Sequence, residues 1–147
     1  MKNEKVVIMR VRDSLARLFG RIGMRDVDAR VFAELLVSDE ELSADEISVR
    51  TDYSLSAVTT SLHRLMRFNI VVRVKRGKKY YYKAEGHILK ALYSLLQEIY
   101  LHEVIPLKRL VEESVDSVEG EAKRKLRKLK ERLDVAEEYL KLLLEAR

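Results

Sequence analysis

Three features of the sequence predict a mostly α-helical chain carrying one small β-hairpin. Apolar residues recur at three-and-four spacing through most of its length, one stretch switches to alternation, and turn residues separate the segments. The helical spacing runs through Ile8, Val11, Leu15, Leu18 and Ile22 at one end. At the other it runs through Ala122, Leu126, Leu129, Leu133, Ala136, Leu140 and Leu143. The alternation is confined to IVVRVKRGKKYYYKA, residues 70–84, which turns at Arg76-Gly77-Lys78.

The first segment carries Arg10, Arg12, Asp13, Arg17 and Arg21 between its apolar positions, the pattern of an amphipathic helix, and Gly20 and Gly23 mark its end. Asp26 or Asp28 can start a second helix, with Val27, Val31, Phe32, Leu35 and Leu36 as its core face; the polar run Ser38-Asp39-Glu40-Glu41 stops it. Ser43-Ala44-Asp45-Glu46 reads as a capping box, in which Ser43 and Glu46 satisfy each other's free backbone N–H groups. A short helix follows through Ile47, Val49 and Arg50, then the turn Thr51-Asp52-Tyr53. Ser54 caps a fourth helix over 54–68, closed by Asn69 in the left-handed conformation that Asn tolerates.

The fourth helix and the hairpin carry the functional signal. Leu55, Val58, Leu62 and Leu65 form one helix face; the other carries Ser56, Ala57, Thr59, Thr60, His63, Arg64 and Arg67. Small hydroxylated residues near the helix start permit close approach to a surface, while cations further along reach phosphates and base edges. The hairpin adds Arg73, Lys75, Arg76, Lys78, Lys79 and Lys83, and from Ser54 to Lys83 there is no Asp or Glu. A merely solvated surface mixes both signs. Residues 1–86 hold 17 basic and 12 acidic side chains and residues 87–147 hold 12 of each, so the net charge of +5 lies in the half with this stretch. Clustered cations of this kind favour nucleic acid through counterion release. The order helix, turn, helix, basic hairpin is that of a winged helix-turn-helix.

The chain has no Cys, which excludes disulfides, zinc fingers and thiol catalysis, and it shows no glycine-rich phosphate loop or nucleophile elbow. No enzyme and no cofactor are expected. No apolar run approaches the roughly 18 residues of a membrane span and no signal-peptide pattern is present, so a soluble cytoplasmic protein is expected. Charged residues make up 36% of the chain against two Asn and one Gln, a bias resembling that of hyperthermophile proteins.

The segment LSADEISVRTDYSLSAVTTSLHRLMRFNIVVRVKRGKKYYYKA resembles the winged-helix core of the MarR superfamily. The flank FGRIGMRDVDARVFAELLVSDEELSADEI, with the charged helical tail, resembles its GbsR-like branch of transcription regulators. By position, the resemblance implies major-groove contacts at Ser56, Ala57, Thr59, Thr60, His63 and Arg64 and wing contacts at Arg76, Lys78 and Lys79. Asp52 and Asn69 depart from the family by standing where glycine is frequent, and both tolerate unusual backbone angles.

The last third is helical. Ile88, Leu92, Leu95, Leu96, Ile99 and Ile105 form an apolar stripe, and Pro106 is expected to kink or break the helix. Gly120 marks a second weak point. The final seam, Leu126, Leu129, Leu133, Ala136, Leu140 and Leu143, wants a partner, either the chain's own first helix or a second copy; two-fold DNA half-sites favour a homodimer. Tyr93 and Tyr100, joined by Tyr139, are candidate walls of a cage for a small cationic effector, though tyrosines at this spacing more often fill a core. Glu98 and His102 form the one helical pair able to share a metal, and no metal site is expected from it. Tyr80-Tyr81-Tyr82 offers rings for single-stranded bases, but alternation puts Tyr80 and Tyr82 on one face, where packing of the wing is the expected role.

Three regions are expected: 1–23 an amphipathic helix, 24–86 a winged helix-turn-helix domain, and 87–147 a coiled-coil-like dimerisation region. The function expected is a dimeric repressor that binds double-stranded DNA, reading the major groove with helix 54–68 and the backbone or minor groove with wing 70–84. The alternative is an architectural or adaptor winged helix that binds DNA without sequence preference or docks on the transcription machinery.

Overall fold

The computed structural model describes residues 2–146 and divides the chain into two compact units, Met1–Leu92 and Tyr93–Arg147. In order, the elements are α1 (Lys2–Arg21), α2 (Asp26–Ser38), α3 (Ala44–Thr51), α4 (Leu55–Arg67), β1 (Val71–Arg76), β2 (Lys79–Ala84), α5 (Ile88–Ile99), a π-helical turn (Tyr100–Val104), α6 (Ile105–Val115) and α7 (Gly120–Glu145). The fold is a mostly helical winged helix-turn-helix, as the apolar spacing requires.

In the first unit, α2 is the central element, packed on α1, α3, α4 and β2. Val31, Phe32 and Leu35 of α2 are fully buried with Phe19 of α1, Ile47 of α3 and Val58, Leu62 and Leu65 of α4. The Phe19 and Phe32 rings meet at 4.9 Å in a tilted arrangement, a geometry that adds a directional preference to area burial. Glu34, on the same helix, is also buried; its carboxylate accepts from Arg12 Nη1 of α1 at 3.0 Å and Arg50 Nη1 of α3 at 3.5 Å. One acid thus ties three helices.

The local signals in the sequence are realised. Glu46 N–H donates to Ser43 Oγ at 3.2 Å, and Ser43 N–H donates back to Glu46 Oε1 at 3.2 Å, completing the capping box. Asp39, Asp52 and Asn69 take the left-handed conformation at the ends of α2, α3 and α4. β1 and β2 pair antiparallel, Arg73 opposite Tyr82 and Lys75 opposite Tyr80, around a Gly77-Lys78 turn. Gly77 is needed there for its positive φ of 64°, since a Cβ would meet open space. Leu42 adds a one-residue third strand, exchanging backbone hydrogen bonds of 2.8 and 2.9 Å with Tyr82. Tyr82 is buried, but Tyr80, on the same wing face, stays exposed beneath its basic neighbours.

In the second unit, α7 folds back on α6 and the π turn as a helical hairpin. The helix is not broken at Pro106; the expected disturbance takes the form of a widened turn just before it. Ile105 N–H reaches back to Tyr100 O, five residues away, and the helix runs on into α6. The widened turn relieves the clash that a proline ring makes with the carbonyl four residues before it. Half-buried residues at Leu96, Tyr100, Val104 and Lys108 follow one another in steps of four along this stretch.

Lys108 bolts the hairpin: its Nζ lies 2.9 Å from Glu137 and 3.1 Å from Asp134. A hydrogen bond to Glu137 and the ion pair with Asp134 push Lys108 above the ordinary lysine range, and the same contacts lower Glu137 and Asp134. The contribution of a lowered carboxylate is complete above its unfolded pKa and lost as pH falls through its folded one, while the raised lysine keeps its charge throughout that window. Lys108→Met should therefore lower the thermal midpoint near neutral pH. Circular dichroism melts should show the gap between parent and variant closing as pH falls below about 4.

Candidate nucleic-acid interface

The outer face of α4 is held in place by its inner one. Ser54 Oγ accepts from Ala57 N–H at 3.1 Å, fixing the start of the helix. At the flank, a buried carboxylate from α2 takes hold of two side chains of α4. Asp28 is 3% exposed; its Oδ1 accepts from Ser61 Oγ at 2.7 Å and from Arg64 Nη2 at 2.8 Å, and its Oδ2 from Arg64 Nε at 2.9 Å. The bond to Asp28 outweighs desolvation and raises the Arg64 pKa, so the guanidinium stays charged. Arg64 is therefore engaged inside the domain, with one edge of its fork committed to the core. The sequence pattern marks Asp28 only as a possible helix start. The signal was available: it stands in register with Val31, Phe32 and Leu35 on the core face, where an acid must find a partner.

The remaining α4 candidates divide by exposure. Ser56, Thr60, His63 and Arg67 are exposed and make no side-chain hydrogen bond or ion pair with the described residues. Ala57 and Thr59 are half-buried, and the Thr59 hydroxyl donates to Leu55 O at 2.8 Å within its own helix.

The wing divides similarly. The Arg73 guanidinium lies over the Tyr80 ring at 4.3 Å and Lys75 Nζ at 5.7 Å, so one tyrosine supports two cations on one face. Arg76 makes a two-pronged pair with Glu41, Nε to Oε2 at 2.6 Å and Nη2 to Oε1 at 2.7 Å. That bond holds Glu41 below the usual carboxylate range and raises Arg76. Lys78 and Lys79 are exposed without an ion pair to the described residues.

Residues 18–85 match the family model of the sugar-specific transcriptional regulator TrmB. The TrmB match thus begins in the last turn of α1 and runs through the whole helix-turn-helix and wing. No curated protein matches the chain. Among solved structures, a crystal structure described as that of a transcriptional regulator superposes with a TM-score of 0.67 at 17% identity, covering 94% of this chain and 95% of that one. This shows a shared fold over nearly the full length. A possible transcriptional regulator from Methanosarcina mazei Go1 is 20% identical with a TM-score of 0.47, over 60% of this chain and 80% of that one. A crystal structure of a MarR family transcription regulator is 13% identical with a TM-score of 0.44, over 97% and 89%. The family and the structures matched are regulators and not enzymes.

Of the residues singled out in the second unit, Leu126, Leu133 and Leu140 are half-buried, while Leu129, Ala136 and Leu143 are exposed. Tyr93 and Tyr100 are half-buried and Tyr139 is exposed. His102 Nε2 lies 3.3 Å from Glu98 on the exposed side of its helix, and no group of three metal-ligating side chains exists among the described residues. Among the described residues, no helix is long and apolar enough to cross a membrane.

The Asp28–Arg64 pair makes an asymmetric prediction. Arg64→Met strands an anionic carboxylate in the core and should cost about 3 kcal/mol. Asp28→Asn leaves an arginine whose side chain is 19% exposed and can turn to solvent, costing about 1–2 kcal/mol. Urea unfolding of the two variants should rank them in that order.

Proposed function

We propose that this chain is a cytoplasmic transcription regulator that binds duplex DNA as a homodimer and represses by occupying an operator, excluding polymerase without any catalysis. Residues 24–86 act as the reading head; 1–23 and 87–147 serve assembly. The observation that carries this reading is the outer face of α4, where Ser56, Thr60, His63 and Arg67 stand exposed and unpartnered on a helix whose rotation is set from beneath. These side chains present donors and acceptors to base edges, and Ala57 lets the helix enter the groove closely. Arg64 acts in this reading as a positioning residue. Lys78 and Lys79 at the wing tip meet phosphates, with Arg73 and Lys75 along the wing behind them. The turn closing α1 and the charged tail support a GbsR-like character within this reading.

Assembly by two copies is supported by exposed apolar side chains at both ends of the chain. Val7, Val11 and Leu18 on α1 are each about half exposed, as are Leu129, Leu142 and Leu143 on α7. Two-fold symmetry would match paired half-sites.

Genome-wide recovery of bound DNA should return a few sharp peaks; uniform coverage would favour the architectural alternative. Against the site so found, Ser56→Ala, Thr60→Ala and His63→Ala together should flatten sequence preference in competition binding while leaving non-specific binding in place, each lost base contact costing roughly 1–3 kcal/mol of discrimination. Lys78→Ala with Lys79→Ala should weaken binding to every duplex alike and lower the log-affinity against log-salt slope by about 2. An unchanged slope moves the adaptor reading ahead.

Lysine at both Leu129 and Leu143 should shift sedimentation to a smaller species. If the dimer persists there but is lost on changing Val7 and Val11 to Lys, the copies meet through α1.

A further inference from the structure

A second cationic surface lies on the first half of α7. From Lys123 to Arg132 there are seven basic side chains and one acid, Glu131, whereas from Asp134 to Glu145 there are four acids and one base. Over residues 87–147 these cancel, which conceals the cluster from a charge balance. Three of its cations are paired: Lys123 with Glu119 at 3.9 Å, Arg124 with Glu121, and Lys130 with Asp134 at 3.2 Å. Lys125, Arg127, Lys128 and Arg132 are exposed and form no ion pair with the described residues. Leu126, Lys130 and Leu133 are half-buried on the side of the hairpin, so the unpaired cations occupy the outward arc. Arg127 and Lys128 also line a shallow groove of about 500 Å³ with Gly120, Lys123, Arg124 and Glu131.

Helix stability does not explain this arrangement. Arg124 with Lys128, Lys128 with Arg132, and Lys125 with Lys128 are like charges three or four apart, spacings at which they repel. The dipole favours cations in the last turn, and α7 has none there. A face that merely needed solvation would intersperse signs.

We propose that this arc of α7 is a separate, sequence-independent binding site for the phosphate backbone of duplex DNA, a site beyond α4 and the wing that rests on the duplex-binding reading above. The residues from Lys125 to Arg132 cover roughly 10 Å at 1.5 Å per residue. A duplex presents one negative charge per about 1.7 Å with both strands counted, or about 3.4 Å along one strand, so this length faces about three phosphates of one strand. Leu129 is the one large apolar residue exposed within the basic half. A cation row without apolar wedges suits a regularly charged rod better than a membrane, which such a helix enters through an apolar face.

The test uses the full chain with Lys125→Gln, Arg127→Gln, Lys128→Gln and Arg132→Gln, and a duplex in which the operator is flanked on both sides by random sequence. The log-affinity against log-salt slope should fall by about 2–4 in magnitude, with circular dichroism unchanged and operator preference in competition retained. An unchanged slope overturns the inference. If the quadruple variant loses helix, Arg127→Gln with Lys128→Gln decides instead, with an expected fall of about 1–2. Polyglutamate provides the second arm: binding as tight as that of a duplex at equal charge, lost in the same variant, would assign the arc to an acidic protein and overturn the DNA site. The reading-head proposal fails separately, by full operator preference in the Ser56, Thr60, His63 variant, which leaves the α7 slope untouched.

Discussion

Apolar contact between α2 and α4 brings the two helices together, but burial of area is non-directional and leaves helices free to slide and turn against one another by small amounts. Asp28 removes that freedom. Its two oxygens engage Ser61 and Arg64, two positions three apart on α4, and so define both the rotation of the helix and its height along α2. Such a pair contributes little net stability over an apolar replacement; its worth lies in selecting one arrangement. Everything presented outward, from Ser56 to Arg67, inherits its placement from this contact.

The same device recurs. Glu34 gathers Arg12 and Arg50 beneath the helix-turn-helix, and Glu41 takes Arg76 at the wing. In each case the planar guanidinium supplies directed donors that an ammonium could not, which explains why these positions are arginine in a chain that also carries 13 lysines. Arg64 and Arg76, the arginines so engaged nearest the candidate interface, thus each meet a carboxylate of the chain itself. What carries no carboxylate partner there is a set of hydroxyls, one imidazole, Arg67, Arg73 over its tyrosine, and lysines.

Features governed by near neighbours were legible in the sequence. The Ser43–Glu46 box, the Ser54 cap, the left-handed Asp52 and Asn69 and the Gly77 turn each depend on residues a few positions apart, so spacing alone specifies them. The partners of Arg64 and Arg76 lie 36 and 35 residues away, and no periodicity links them. The one-residue strand at Leu42 was hidden for the same reason, because a single bridge leaves no alternation to read. At Pro106 the backbone donor is missing, yet a backbone can widen its turn instead of breaking. The α7 seam shows another boundary: heptad spacing declares that a stripe will be covered, and Leu126 beside exposed Leu129 shows one stripe meeting two fates.

The π turn also settles a matter of phase. In an ordinary α-helix each step of four residues overshoots a full turn by about 40°, so a stripe built from three such steps would wind a third of the way round the axis. Leu96, Tyr100, Val104 and Lys108 make three such steps and all remain half-buried. The wider turn absorbs the overshoot, acting as a vernier between two stretches whose residue counts do not match. Lys108 consequently arrives at the inner side of the hairpin, where Asp134 and Glu137 wait, and a strictly α-helical path through the same residues would turn it away from them by about 100° without touching any of the three.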